Sequence, residues 1–247
     1  MQKKQRLDTA LAEKYPHYSK TQIQSFIMQG YARINGILAP KAGSSVKEQD
    51  IVELLVDIPK YVCRAGFKLE HALEHFAIDV QDMVALDAGL STGGFTDCLL
   101  QKGARKVYGV DVGHSQTHEK IARDPRVVVH EKTNLRHLTT VGELVDIVTL
   151  DLSFISLLKV MDAVCAVLKP DGLLITLIKP QFEAERHEVE TGGLITNPAI
   201  HERIIESVTK GIAEYGFTCV GITPSPITGA TGNREFCAFF KRIPPRF

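Results

Sequence analysis

From Gly66 onward, short apolar runs alternate with stretches that carry apolar residues at helical spacing. The runs predict strands at residues 83–87, 106–111, 126–130, 146–151 and 173–179. The stretches between them predict helices at residues 94–102, 116–123, 156–168 and 200–215, and an earlier helix carries the apolar residues Phe67, Leu69, Leu73 and Phe76. Strands alternating with helices are typical of a parallel sheet that helices cover on both faces.

The end of the chain departs from this alternation. The segments FTCVGITPSP and EFCAFFKRI predict two consecutive strands joined by a glycine-rich loop, with no helix between them. We therefore expect an antiparallel hairpin at the end of an otherwise parallel α/β sheet.

The beginning of the chain has its own pattern. Leu7 and Leu11 predict a short helix, and Ser19 is a suitable N-cap for a second helix that ends near Gly30. The segment YARINGILA places Asn-Gly between two extended runs, which predicts a hairpin, and DIVELL predicts another strand. We therefore predict a small α+β domain, a linker and the α/β domain, at residues 1–58, 59–65 and 66–247.

Composition narrows the class of protein. A hydrophobic content of 44% and a charged content of 23% in 247 residues are normal for a globular protein. The five cysteines are scattered without a C-x-x-C pair, which argues against a disulfide framework and a zinc site, and no metal is expected. No apolar run approaches the roughly 18 residues of a membrane span, and the start lacks the apolar segment of a signal peptide. We expect a cytoplasmic protein.

The net charge of zero is unevenly distributed. The first 60 residues carry nine Lys or Arg against six Asp or Glu, so a positive head precedes a negative remainder. Such asymmetry is compatible with a module that faces a polyanion and equally with an ordinary solvated surface.

The segment VALDAGLSTGGFTDCLL, residues 84–100, runs from a strand through Asp87 and a glycine turn into a helix. A dinucleotide site requires G-x-G-x-x-G at this turn, and the spacing here does not match. An aspartate repels a pyrophosphate but favours the positive sulfonium of S-adenosyl-L-methionine. The alternatives are a dinucleotide and a tight turn without a ligand. We predict S-adenosyl-L-methionine, in an arrangement that resembles class I (Rossmann-like) methyltransferases.

The expected cofactor contacts come from this turn and from later strand ends. The glycines let the backbone approach a ligand, and Asp111 is placed to accept hydrogen bonds from ribose hydroxyls. The predicted cofactor-binding residues are Asp87, Gly89, Ser91, Gly93, Gly94, Asp111 and Asn134.

Four charged residues are expected to converge at the strand ends. Lys68 precedes the first strand of the sheet, Asp151 and Lys179 end the fourth and fifth strands, and Glu235 opens the last strand. A lysine at the end of the apolar run LLITLIKP is costly to bury unless it pairs or reacts. These residues therefore predict either a structural ion-pair network or a catalytic Lys–Asp–Lys–Glu tetrad for methylation of a ribose 2′-hydroxyl.

The order of this tetrad resembles that of FtsJ-type RNA ribose methyltransferases. Over nearly its full length, the chain resembles the TlyA family of haemolysin-like proteins. In that family a ribosomal-protein S-four-type RNA-binding domain precedes an FtsJ-type domain. The matching segments begin with a long stretch from RLDTALAEKY to KEQDIVEL and continue with RAGFKLEHAL, DAGLSTGGFTDCLL, DPRVVVHEKTNLR, DLSFISL, IKPQFE, GGLI and SPITGATGNREF.

The chain also departs from the family pattern. Ser-Lys stands at residues 19–20 where the family has Ser-Arg, and Cys-Arg-Ala-Gly stands at residues 63–66 where it has Ser-Arg-Gly-Gly. Gly-His-Ser-Gln-Thr at residues 113–117 replaces Gly-x-Gly-Gln-Leu. These differences leave the tetrad intact and affect the expected cofactor lining and RNA contacts.

The resemblance implies an RNA (ribose-2′-O-)-methyltransferase that acts on ribosomal RNA or ribosomal subunits, with Lys68, Asp151, Lys179 and Glu235 as the catalytic residues. The basic residues that it implies for RNA binding are Arg6, Lys20, Arg33, Lys41 and Arg64. Such residues contact phosphates and supply affinity and position rather than sequence reading.

Two other function classes remain open from the sequence. A catalytically silent RNA-binding or ribosome-assembly factor would bind RNA without the cofactor. A cytolysin is suggested by the haemolysin-like family name, although the sequence has no signal peptide, spanning segment or basic amphipathic helix to support it.

Overall fold

The computed structural model describes residues 4–16, 18–28, 30–39, 41–55, 60–229 and 231–243, except for the side chain of Ser25. The chain divides into two compact units, residues 1–59 and 60–247. Residue 59, the first of the predicted linker, lies outside the described residues. The role of residues 59–65 as a linker between two domains stays a prediction.

The first unit combines two helices with short strands. Its elements in chain order are β1 (Lys4–Arg6), α1 (Leu7–Lys14), α2 (Lys20–Met28), β2 (Ala32–Ile34), β3 (Ile37–Leu38), β4 (Ser45–Lys47) and β5 (Val52–Leu54). Strands β1 and β4 form an antiparallel pair, and β2 lies between β3 and β5 in a second small sheet. The apolar core of the unit includes Leu7, Leu11, Ile23, Ile27 and Val46.

The predicted hairpin of this unit is confirmed. Ile34 pairs with Ile37 across a turn in which Asn35 and Gly36 have φ angles of 51° and 79°. Two adjacent residues at positive φ form the kind of tight turn that Asn-Gly favours. The β1–β4 pair was not predicted, because three-residue strands rich in polar residues carry no clear alternation of apolar and polar positions.

The second unit alternates strands and helices. It contains α3 (Ala65–His75), β6 (Val84–Ala88), α4 (Gly94–Gln101), β7 (Lys106–Val110), α5 (Glu119–Ala122), β8 (Val127–His130), β9 (Val145–Leu150), α6 (Met161–Val167), β10 (Leu168–Ile178), α7 (Pro180–Glu183), α8 (Pro198–Ala213), β11 (Phe217–Pro224) and β12 (Phe236–Arg242). Short 3₁₀ turns occur at Leu135–His137, Leu157–Val160 and Arg186–Glu188.

The strands of this unit form one seven-stranded sheet in the order β11-β12-β10-β9-β6-β7-β8. Each strand from β8 through β7, β6 and β9 to β10 runs parallel to its neighbour in the sheet. Strand β12 runs antiparallel to both β10 and β11. The predicted α/β sheet with a final antiparallel hairpin is therefore confirmed. Two buried apolar clusters, one around Leu86 and Val148 and the other around Ala85 and Ile147, cover its two faces.

Two predicted helices are shorter than expected. The helix predicted at residues 116–123 is only Glu119–Ala122, because His118 is extended and its ring nitrogen accepts a hydrogen bond from the backbone of Lys120. The segment 156–168 divides into a 3₁₀ turn that Ser156 caps and the helix α6. Both differences are at helix starts, where a capping side chain replaces a further turn of helix.

Candidate active site

A cavity of about 330 Å³ lies at the carboxyl ends of the central parallel strands. The residues after β6, β7, β8 and β9 supply most of its lining: Gly89, Ser91, Asp111, Val112, Gln116, Thr133, Asn134, Leu135, Asp151, Leu152, Ser153, Phe154 and Ile155. This edge is where open α/β sheets bind their ligands, and the mixture of apolar walls with a few polar groups is typical of a small-molecule site.

The glycines of the turn after β6 pack closely against neighbouring protein atoms, whereas their predicted approach to a ligand stays a prediction. Gly89 has φ = +91°, and a Cβ atom there would lie 2.4 Å from the carbonyl oxygen of Asp151. A Cβ on Gly94 would lie 2.5 Å from the Cys63 sulfur. Gly93, with φ = +94°, lines neither of the cavities at this edge and packs towards Ile121. Gly93 therefore shapes the turn, whereas Gly89 and Gly94 form cavity wall.

Asp111 joins two of the turns that line the cavity. Its carboxylate accepts hydrogen bonds from the backbone N–H groups of Ser91 and Gly113, both at 2.7 Å. Asn134 lies in the same lining, and its side-chain oxygen accepts a hydrogen bond from the backbone N–H of Arg136 at 3.1 Å. Ser91, Asp111 and Asn134 are thus brought together around one cavity, as predicted for cofactor contacts.

Asp87 lies inside the sheet rather than in the cavity wall. It is fully buried, and its carboxylate accepts hydrogen bonds from the hydroxyls of Thr96 at 2.7 Å and Thr149 at 3.3 Å. Burial raises the pKa of Asp87 to about 7, and the nearby charge of Asp151 contributes in the same direction. Direct contact between Asp87 and a ligand stays a prediction; the described structure gives it protein partners.

The four charged residues predicted as a tetrad form two ion pairs. Lys179 Nζ lies 2.6 Å from Asp151 Oδ1, and Lys68 Nζ lies 2.5 Å from Glu235 Oε2. Lys68, Lys179 and Glu235 are buried. Because burying an unpaired charge is costly, each pair neutralises a lysine that the fold places away from water.

Members of both ion pairs lie close enough to the Cys237 thiol for their charges to affect its pKa. Burial raises the pKa of Cys237 to about 12; the charge of Lys68 lowers it, whereas those of Glu235 and Asp151 raise it. The Cys237 sulfur also lies 3.6 Å from the backbone oxygen of Lys68. Because Ile178 pairs with Phe236 in the sheet, Lys179 and Glu235 lie at neighbouring strand ends, and the two ion pairs are close to one another. That the four residues form one catalytic tetrad stays a prediction.

A second cavity of about 200 Å³ adjoins the first. Lys179, Cys63 and Phe95 contribute to its lining, and it shares with the larger cavity the residues Gly89, Ser91, Asp151 and Ser153. A ligand in the larger cavity and a ligand beside Lys179 would therefore meet across the same few residues.

Ser153 is a site residue to which the sequence analysis assigned no role. Its hydroxyl lies 3.1 Å from Lys179 Nζ and accepts a hydrogen bond from it, while the 2.6 Å contact of Nζ with Asp151 Oδ1 is an ion pair without hydrogen-bond alignment. The sequence feature that could have indicated this role is a serine two residues after the strand-end aspartate, in DLSF.

An aromatic pair stands beside this site. Phe154 has φ = +64° and is 90% exposed, and its ring centroid lies 5.0 Å from that of Phe182. Lys179 Nζ lies 5.9 Å from the centroid of the Phe182 ring. An exposed aromatic residue at strained backbone geometry is uncommon and is often functional. The exposure of Phe154 could not be predicted from the sequence, because phenylalanine normally predicts a core position.

A half-buried side chain, Glu183, and a buried one, Asn233, hold the loops that carry the charged residues. Glu183 accepts a hydrogen bond from the backbone of Leu157 at 2.8 Å, and burial raises the pKa of Glu183. Asn233, two residues before Glu235, accepts from the backbone of Ile195 at 2.9 Å and donates to that of Gly193 at 2.7 Å. Neither was assigned a role from the sequence.

The predicted RNA-contacting residues occur in both units. Arg6 is paired with Asp8, Lys20 is exposed at the start of α2, and Lys41 is exposed before a segment that hydrogen-bonds to residues 7 and 8. Arg33 donates from Nη1 to the backbone oxygens of Gly30 and Ala32, so this arginine also has a structural role. Arg64 is exposed in the second unit.

The described part of the chain shows neither a metal-binding cluster nor a membrane-spanning helix. No group of three or more His, Cys, Asp or Glu side chains there could hold a metal ion. No helix there is long and apolar enough to cross a membrane.

Comparison with known proteins gives the family. Residues 61–242 match the FtsJ-like methyltransferase model, and residues 5–52 match the S4 domain model. The chain is 41% identical to Hemolysin A of Brachyspira hyodysenteriae over 225 residues, covering 90% of this chain and 93% of that protein. It is 39% identical over 239 residues to the 16S/23S rRNA (cytidine-2′-O)-methyltransferase TlyA of Mycobacterium tuberculosis, covering 96% and 89% respectively.

A solved structure of a hemolysin from Streptococcus thermophilus is similar over 98% of this chain and 90% of that chain, with a TM-score of 0.73 and 37% identity. The matched methyltransferase domain contains both cavities and both ion pairs described above. The chain therefore belongs to the TlyA family of FtsJ-like methyltransferases, with S-adenosyl-L-methionine as its cofactor and an S4 domain before the catalytic domain.

Proposed function

We propose that this protein methylates a ribose 2′-hydroxyl of ribosomal RNA and that Lys68, Asp151, Lys179 and Glu235 form its catalytic centre. The observation that carries this proposal is the shared wall of the two cavities, which brings Lys179 and Asp151 next to the cofactor cavity. The Mycobacterium tuberculosis relative is a 16S/23S rRNA (cytidine-2′-O)-methyltransferase, which supports the same reaction and favours cytidine as the target.

The larger cavity fits S-adenosyl-L-methionine. Asp111 is placed to bind ribose hydroxyls at the end of β7, and Val112 and Leu135 offer apolar walls for a purine base. Gly89 and Asp151 line this cavity side by side, and the Asp151 carboxylate favours a positively charged sulfonium nearby. When bound, the cofactor supplies an electrophilic methyl group.

Lys179 is the residue that we place at the reacting hydroxyl. A ribose hydroxyl is a poor nucleophile, so its oxygen must be oriented by a donor, and the proton that it releases as the new O–C bond forms passes to solvent water. Ser153 accepts one of the three hydrogen bonds that Lys179 Nζ can donate, and Asp151 Oδ1 lies 2.6 Å from Nζ as an ion-pair partner, so Nζ can still donate a hydrogen bond to the 2′-oxygen. We assign Asp151 the role of orienting Lys179, because its Oδ1 lies 2.6 Å from Nζ.

Lys68 and Glu235 form the other half of the centre. Their ion pair is buried beside the first, and the net charge of the four residues is zero. A neutral cluster can bind a polyanionic RNA without a large opposing field, while Lys68 still offers a donor to the ribose or its phosphate. Positioning of this kind supplies much of the rate in bimolecular reactions, up to about 7–11 kcal/mol.

The surroundings of the centre suit a nucleotide in folded RNA. RNA-binding proteins stack unpaired bases on exposed aromatic rings, and Phe154 offers such a ring next to Phe182 and Lys179. The S4 unit would bind structured RNA through Arg6, Lys20 and Lys41, with Arg33 and Arg64 contributing positive charge. All five cysteines are free thiols, as expected for an enzyme that acts on ribosomal RNA in a reducing cytoplasm.

The proposal is tested by methyl transfer from radiolabelled cofactor to naked 16S rRNA, naked 23S rRNA and each isolated ribosomal subunit. We expect label in at least one rRNA substrate and none with the Lys179→Ala variant. RNA binding without any transfer would instead support a catalytically silent RNA-binding factor.

A further inference from the structure

A buried acidic residue lies within the basic part of the S4 unit. Asp8 is fully buried, and its carboxylate accepts hydrogen bonds from Arg6 Nε at 3.0 Å, Arg6 Nη2 at 2.8 Å and Gln24 Nε2 at 2.8 Å. The Thr9 hydroxyl lies 3.4 Å from the same carboxylate. These contacts, the Arg6 hydrogen bonds first, hold the pKa of Asp8 well below its usual range, so the residue is charged at neutral pH.

The position of this charge is unfavourable for RNA binding by itself. Lys20, at the start of α2, is near enough for its charge to act on Asp8. The segment after Lys41 is hydrogen-bonded to the backbone of Leu7 and Asp8. A carboxylate among these cations lowers the positive potential that attracts phosphates. A buried aspartate at this position is therefore expected to favour RNA binding by some means other than its charge, and any such benefit must be structural.

That benefit is the fixed orientation of Arg6. Asp8 occupies Nε and Nη2 along one edge of the planar guanidinium, and the side chain of Arg6 is still 59% exposed. Nη1 lies beside Gly43, where an added Cβ atom would be only 3.3 Å away, and it makes no hydrogen bond within the described residues. One edge of the arginine is thus held by protein and the other remains for a ligand.

We propose that Asp8 is a positioning residue that presents Arg6 to a phosphate of ribosomal RNA. The inference rests on the proposed function, specifically on RNA binding by the S4 unit. Holding a flexible arginine in its bound geometry reduces the entropy lost on binding, and a guanidinium fork is well suited to phosphate oxygens. Glycine at position 43 keeps the second edge of the fork uncovered.

The test is the affinity of the full-length protein for naked 16S and 23S rRNA, measured for wild type and Asp8→Asn at several salt concentrations. Charge alone predicts that Asp8→Asn binds more tightly, because a negative charge is removed from a basic surface. Positioning predicts the opposite, a loss of about three- to tenfold. The matched control is Glu48→Gln, which removes an exposed acid of the same unit and is expected to keep or slightly increase affinity.

A double-mutant cycle shows whether Asp8 acts through Arg6. In an Arg6→Ala background, Asp8→Asn should cause no further loss of affinity and should restore some of it. Arg6→Lys keeps the positive charge but lacks the planar fork, and we expect it to weaken binding about as much as Asp8→Asn. This variant also gives an answer if Asp8→Asn fails to fold.

The outcomes separate the inference from the proposed function. A folded Asp8→Asn variant that binds rRNA at least as tightly as wild type overturns the positioning role, and so does Arg6→Lys with wild-type affinity. If the wild-type protein has no salt-dependent affinity for rRNA, the proposed function fails and this inference fails with it.

Discussion

Lys179 Nζ lies 2.6 Å from Asp151 Oδ1, and both residues line the smaller cavity where it adjoins the cofactor cavity. Only Asp151 also lines the larger cavity. The two partners of one ion pair should therefore have different functions. In the proposed arrangement, Lys179 contacts only the substrate, whereas Asp151 contacts both the substrate and the cofactor.

This difference predicts different effects of two single substitutions. Lys179→Ala should lower single-turnover methyl transfer by about 10²- to 10⁴-fold with little change in cofactor affinity, because its contribution is made in the transition state. Lys179→Arg should not restore transfer, since the planar guanidinium has a different shape from the compact ammonium and cannot keep the same contacts with Asp151 and Ser153. Asp151→Ala should lower both transfer and cofactor affinity, which calorimetry measures. Equal cofactor affinity in both alanine variants would contradict this division.

The turn after β6 should tolerate no side chain at Gly89. Gly89→Ala adds a Cβ that meets the Asp151 carbonyl oxygen, and backbone is less able to move than a flexible side chain. We expect its affinity for S-adenosyl-L-methionine to fall at least tenfold by calorimetry. Gly192→Ala is the matched control, because Gly192 also has a positive φ, +89°, but no atom lies within 4 Å of the added Cβ. A similar loss in both variants would mean that backbone strain, not the close approach, is responsible.

The Lys68–Glu235 pair should show strong coupling in stability. Glu235→Gln leaves Lys68 buried without its counter-charge, so we expect the free energy of unfolding to fall by about 3–5 kcal/mol. Adding Lys68→Met should recover part of this loss, while methyl transfer remains low. Urea unfolding of the two single variants and the double variant measures the coupling. If the losses in free energy of unfolding of the two single variants simply add up in the double variant, the interaction between Lys68 and Glu235 contributes little to stability.

Asp87 predicts a pH dependence of stability. Its pKa in the folded protein is about 7, against 3.8 for an unperturbed aspartate, so between these values the folded state holds a proton that the unfolded state has released. Stability from this group is thus present at low pH and decreases as pH rises towards 7. Asp87→Asn should gain stability relative to wild type over that window, as followed by circular dichroism in urea. If the difference in stability between Asp87→Asn and wild type stays the same from pH 4.5 to pH 8, burial does not raise the pKa of Asp87 as described.

The sequence was sufficient to predict the positions of the site residues that lie at strand ends. Asp151 and Lys179 could be placed at adjacent strand ends because parallel strands bring their carboxyl ends to one edge of a sheet. The burial of Asp87 could not be predicted, since strand position alone does not show which hydroxyls surround a carboxylate. The same limit applies to Ser153 and Phe154, whose contacts with Lys179 and Phe182 depend on how two loops meet.

The most direct test of the central claim is the chemical position of the transferred methyl group. After a single turnover with radiolabelled cofactor, the rRNA is hydrolysed with alkali and the labelled products are separated. A methylated 2′-oxygen cannot attack the neighbouring phosphate, so the account predicts label in an alkali-stable dinucleotide for the wild-type protein and almost none for Lys179→Ala. Label in mononucleotides, as from a methylated base, or full transfer by Lys179→Ala, would contradict the account.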